Sequence, residues 1–142
     1  NLAVIETKSR AVETARVLER KLGDTLKPIT LHWSGCPAGC GNHLVADIGL
    51  LGKKAKVGGK VVDAVDGFVG GRSGPDPKLA TKIMEDVPCD RLPAVLEMIM
   101  PFHTLEKMHR VRGKAVPKAT GASKSTASGN ETTGLTPQPL PA

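Results

Sequence analysis

A chain of 142 residues with 39% hydrophobic residues and a net charge of +6 sets the scale of one domain with a modest core. Three aromatic residues (Trp33, Phe68, Phe102) and no tyrosine argue against a stacking platform for single-stranded nucleic acid, and no run of about 18 apolar residues exists to span a membrane. Three cysteines, an odd number, speak against a closed disulfide framework and for metal or redox chemistry in a reducing compartment.

The charge is unevenly spread. From Leu105 onward six basic residues face two acidic ones, which leaves the body nearly neutral and places most of the excess in the tail. A basic tail is ordinarily a solvated end, so charge alone does not point to nucleic acid. The chain opens on Asn1 with no visible signal peptide, as a fragment or a processed product would.

In chain order, Ile5 to Leu22 has the spacing of an amphipathic helix, with Ile5, Val12, Ala15, Leu18 and Leu22 on one face, and Gly23 suits its end. Ile29 to Trp33 is short, apolar and β-branched, and predicts a strand running into Cys36 and Cys40. Leu44 to Leu51 predicts a second strand. Gly52 to Lys60 predicts a hairpin turn built on Gly58-Gly59, and Val61 to Val69 its partner strand. The run Gly70-Gly71-Arg72-Ser73-Gly74-Pro75 breaks regular structure. Asp76 is placed to cap a helix that starts at Pro77 and carries Leu79, Ile83 and Val87 as its stripe. A further helix after Pro88, with Leu92, Val95, Leu96 and Ile99 inward, is expected to stop at Pro101. Beyond Gly113 the composition turns to Ala, Ser, Thr, Gly and Pro, too poor in large apolar side chains to offset ordering entropy. The fold expected is α+β, a mixed or antiparallel sheet with flanking helices, a cysteine loop at a strand end and a disordered tail. Residues 1–104 form the domain in this reading and 105–142 the tail.

The chemistry concentrates at Cys36 and Cys40. Gly35, Gly39 and Gly41 surround them with Pro37 between, a backbone that can approach a bulky inorganic group and turn N–H groups toward it. Thiolates on such a loop suit a soft metal or an iron–sulfur cluster. Structural zinc on His32, Cys36, Cys40 and His43 is the competing assignment, although four ligands inside one turn would be cramped. A cuboidal cluster takes four cysteinates. Cys89, in Val-Pro-Cys-Asp at a helix start, reads as structural, so two ligands are missing. Either a second copy supplies them or they lie upstream of Asn1.

Ser34-Gly35-Cys36, three residues, Cys40, six residues, then Asp47-Ile48-Gly49-Leu50 resembles the sirohaem and iron–sulfur signature of nitrite and sulfite reductases. Ile5-Glu6-Thr7-Lys8-Ser9-Arg10-Ala11, Phe68-Val69-Gly70-Gly71-Arg72-Ser73-Gly74 and Val87-Pro88-Cys89-Asp90 also look like segments of the ferredoxin-dependent nitrite enzymes, so the likeness runs from about Asn1 to about Pro101. The resemblance implies a [4Fe–4S] cluster completed by two earlier cysteines, with Cys36 a ligand and Cys40 both a ligand and the axial sulfur bridge to a sirohaem iron. It implies the C-terminal piece of a longer cytoplasmic oxidoreductase, inactive alone, that reduces nitrite to ammonia with electrons from reduced ferredoxin. The composition and charge pattern lead us to expect no membrane or nucleic-acid partner. Arg72 is the local candidate for a carboxylate of the macrocycle, with a loop-bracing hydrogen bond as the equal alternative. Sulfite is the alternative substrate. Nitrite is favoured by the Gly-Gly-Arg-x-Gly and Val-Pro-Cys segments and by the lack of an extra ferredoxin-like cysteine cluster. From Phe102 onward, with His103 and His109, the sequence departs from the family ending.

Overall fold

Four strands form one mixed sheet in the computed structural model, which describes residues 3–26 and 29–113. They are β1 (Leu31–Ser34), β2 (Ile48–Val57), β3 (Lys60–Val69) and β4 (Thr81–Pro88), in the spatial order β1-β2-β3-β4. β1 runs parallel to β2, whereas β2–β3 and β3–β4 are antiparallel. Two helices complete the α+β fold, α1 (Lys8–Leu22) and α2 (Leu92–Gly113). Of the expected tail, 105–142, residues 105–113 belong to α2 and 114–142 lie outside the described residues.

Alternation along the strands decides where the core sits. Ile48 and Leu50 of β2 share a face with Val65 of β3, which lies opposite Gly52. Those side chains pack with Leu18 of α1 and with Leu92, Leu96 and Met100 of α2, so both helices cover this face. Arg10 of α1 adds a 2.8 Å ion pair to Asp63 of β3. The other face carries Phe68, opposite Gly49, and the ion pair of Lys53 with the nearly buried Asp66 (3.3 Å).

Several predicted boundaries shift, each for a physical reason. On α1 the buried positions are Thr14 and Leu18, while Val12 is 46% exposed and lines an open apolar groove with Ala15, Leu26 and Ile29. The stretch Leu44 to Asp47 is not strand: His43–Val45 forms a short 3-10 turn and β2 starts at Ile48. The hairpin turn is only Gly58-Gly59, both at positive φ, and Gly52 to Val57 continue β2. Alternate residues of that polar segment point to solvent, which a two-layer fold tolerates at the far end of a sheet.

The largest correction concerns residues 77 to 88. No helix forms there; β4 pairs with β3 instead, and Leu79 and Ile83 of the supposed stripe are 66% and 48% exposed. No helix begins at Pro77 for Asp76 to cap, and its carboxylate accepts from Arg72. α2 also fails to stop at Pro101 and continues to Gly113. Proline removes one backbone donor there, but Met100 and Thr104 on either side are buried, and the Thr104 hydroxyl reaches the carbonyls of Met100 (3.0 Å) and Thr25 (3.1 Å).

Candidate functional site

The loop from Gly35 to Asn42 leaves the end of β1 and returns through the His43–Val45 turn, as a cysteine loop at a strand end should. Its entry is clamped by the Gly35 carbonyl, which accepts the amides of Val4 (3.0 Å) and Ile5 (3.2 Å). Gly41 must be glycine because a Cβ there would overlap the Trp33 carbonyl, a backbone group that cannot swing aside. The loop therefore passes close against the backbone of β1, with Cys36 partly exposed and Cys40 exposed, both free thiols.

Its polar interior is organised by Ser34. The Ser34 hydroxyl, 1% exposed, accepts the Gly41 amide at 3.1 Å and lies 2.9 Å from His43 Nδ1. The His43 ring is buried against Phe68, 5.1 Å between centroids, and burial pushes its basicity below the ordinary histidine value. The amides of Gly39 and Asn42 donate to the carbonyls of Cys36 (3.1 Å) and Gly39 (2.8 Å). The expectation that this loop turns its N–H groups outward is thus corrected at three positions, Gly39, Gly41 and Asn42, whose donors are spent on protein oxygens.

The loop's exit is fixed by Asp47. Its carboxylate accepts the Thr30 amide and hydroxyl (2.8 Å each) and Lys107 Nζ of α2 (2.6 Å), while its carbonyl accepts the Gly70 amide. These donors outweigh desolvation and hold its carboxyl below the usual carboxylate range. Lys107 was not singled out by the sequence; its only signal was helical continuation beyond Pro101, which the proline rule obscured. Asp47, Arg72, Lys107 and Arg110 line one cavity of about 280 Å³. Arg72 itself donates from Nε to the Asp76 carbonyl (2.6 Å) and from Nη2 to the Asp76 carboxylate (2.7 Å), which braces its loop.

The donor set discriminates between metals. Among the described residues no group of three or more His, Cys, Asp or Glu could hold a metal ion. The four-ligand zinc site is therefore corrected: His43 is buried and engaged with Ser34, and His32 Nδ1 lies 3.2 Å from the Asn42 carbonyl oxygen. What remains on this loop is two free thiols, Cys36 and Cys40, with no bulky side chain between them. Cys89 lies in the hydrophobic core, where burial pushes its thiol up and away from the ionised form a metal needs. Among the described residues no helix is long and apolar enough to cross a membrane.

No family model matches the chain. Individual relatives do. The chain is 47% identical over 100 residues to a ferredoxin–nitrite reductase of Synechococcus elongatus and 45% identical over 100 residues to the chloroplastic enzyme of Zea mays, covering 70% and 69% of this chain. It spans about a fifth of the length of those relatives, 19% and 17%. A structure of the Mycobacterium tuberculosis NirA protein superposes with a TM-score of 0.63 at 27% identity, covering 86% of this chain and 21% of that one. Against a chloroplastic ferredoxin–nitrite reductase sequence of Pinus sylvestris the identity is 41% over 95 residues, 66% of this chain and 90% of the pine sequence. By that measure the chain belongs to the ferredoxin–nitrite reductase family.

Proposed function

We propose that this chain is the C-terminal, cluster-binding portion of an assimilatory cytoplasmic nitrite reductase that reduces nitrite to ammonia with electrons from reduced ferredoxin. The observation that carries the reading is the pair of free thiols, Cys36 partly exposed and Cys40 exposed, on one loop of a chain that matches this family. Cys36 and Cys40 are assigned as two of four ligands to a [4Fe–4S] cluster, with the other two in a segment preceding Asn1. Cys40, the more exposed, would also be the thiolate that meets a sirohaem. When bound, the cluster and sirohaem supply an electron relay and an iron at which the anion is reduced.

The chain's own part is to hold and shield. Clamping of Gly35 by the amides of Val4 and Ile5, and of Asp47 by Thr30 and Lys107, fixes both ends of the cysteine loop, which supports a role in holding a cluster. Arg72, held by Asp76 in a cavity it shares with Lys107 and Arg110, is assigned to a carboxylate of the macrocycle.

The test is made on a longer polypeptide that carries this segment behind its upstream region. Expected are stoichiometric iron and acid-labile sulfide, a sirohaem absorption spectrum, ferredoxin-driven nitrite turnover exceeding sulfite turnover, and joint loss of sirohaem coupling and turnover in Cys40→Ser. An iron-free protein, or a Cys40→Ser variant turning over nitrite at the parent rate, would overturn the assignment.

A further inference from the structure

Gly41 supplies the first amide after Cys40, and its proton is committed to Ser34 Oγ at 3.1 Å. A serine hydroxyl has one proton of its own to place. Among the described residues its one other hydrogen-bonding neighbour is His43 Nδ1 at 2.9 Å, so the hydroxyl donates there and the imidazole carries its proton on Nε2. A hydroxyl polarised in this way is a better acceptor for the Gly41 amide. Neither partner can turn away. Ser34 is 1% exposed, and the buried His43 ring lies against Phe68 at 5.1 Å between centroids. The depressed basicity of the buried imidazole agrees with a neutral acceptor nitrogen.

This arrangement has an electrostatic consequence for a thiolate-bound centre. An amide N–H directed at a ligand sulfur stabilises the more negative, reduced state and raises the potential; an amide committed to an oxygen does not. We propose that Ser34 and His43 are a positioning pair that withholds the Gly41 amide from the Cys40 sulfur and so keeps the potential of the centre on Cys36 and Cys40 low. The inference rests on the assignment of Cys40 as a ligand made above, and neither Ser34 nor His43 touches reacting atoms. A low-potential centre suits transfer onward to an acceptor that must be driven to a deeply reduced product.

The experiment uses the cofactor-loaded enzyme and four variants. Ser34→Ala removes the acceptor, while Ser34→Thr keeps the hydroxyl. His43→Leu keeps apolar packing without the acceptor nitrogen, while His43→Asn offers an amide oxygen near the Nδ1 position. Cluster midpoint potential and hydrogen exchange at the Gly41 amide are read on each. Ser34→Ala and His43→Leu are expected to shift the potential to more positive values, and Ser34→Ala to speed Gly41 exchange by about tenfold or more. Ser34→Thr and His43→Asn should match the parent in both. Should Ser34→Ala fail to fold, the contrast of His43→Leu with His43→Asn carries the same decision. An unchanged potential in Ser34→Ala with full iron and sulfide overturns the positioning pair while leaving the functional reading intact. Absence of iron from the parent enzyme overturns both, and the iron assay tells the two failures apart.

Discussion

The Asp47 carboxylate ties the lead-in to β1 to α2, while its main-chain carbonyl accepts the Gly70 amide. Asp47→Asn is expected to cost about 2 kcal/mol, because a part-buried carboxylate accepting charged and neutral donors would be replaced by an amide that competes with them. The pH dependence follows from the depressed carboxyl. A group ionised more readily in the folded state contributes stability that is present above its unfolded pKa and fades as pH falls through the folded one. The acid limb at this cavity is assigned to Asp47, whose carboxylate lies there beside Arg72, Lys107 and Arg110. Urea denaturation from pH 7 to pH 3 should show a shallower loss in Asp47→Asn than in the parent; parallel curves would refute this. Gly41→Ala should be worse than a typical surface change, at about 3 kcal/mol or more, since the clash is with backbone. Its denaturation midpoint is the check. The aspartate and the glycines were legible from the motif, but Lys107, sixty residues along the chain, was not, because spacing says nothing about which helix returns to a loop.

At the scale of elements, the error at residues 77 to 88 is instructive. Leu79, Ile83 and Val87 recur every four residues, which mimics a helical stripe, yet β4 forms because β3 already offers a twisted, unpaired edge. Ile83→Thr should therefore change stability by less than about 0.5 kcal/mol, whereas a buried helical position would lose several times that. Thermal unfolding distinguishes the two. Pro101 marks the opposite case, where a strong local rule is overridden by packing. Leu92, Leu96 and Met100 before it and Thr104 after it fill one buried face, so tertiary contact offsets a lost backbone bond. Pro101→Ala is expected to stabilise by about 1–2 kcal/mol once the greater freedom of the unfolded chain is subtracted. A destabilised variant would mean that the proline is needed for the course of α2. By contrast α1, the strand before Cys36 and the Gly58-Gly59 hairpin were readable, because their signals are local periodicity and turn chemistry.

For the molecule as a whole, the cysteine loop offers two free thiols, Cys36 partly exposed and Cys40 exposed, where a cubane cluster takes four. Iron and sulfide reconstitution of the 142-residue chain alone should leave well under one cluster per chain after gel filtration. A stable stoichiometric cluster on the monomer would contradict the ligand count, and one cluster per two chains would point to a shared site. The sequence by itself determined the pair of cysteines, their glycine setting and the α+β class, because covalent spacing and side-chain alternation are properties of the chain's own order. Only the tertiary structure decided that His43 turns inward to Ser34 and away from a metal, that the Gly41 amide is spent on a hydroxyl, and that Lys107 reaches back to Asp47. Those outcomes depend on surfaces far apart in the chain meeting with the right shape and charge, and burial then sets the protonation and partners of every group enclosed there.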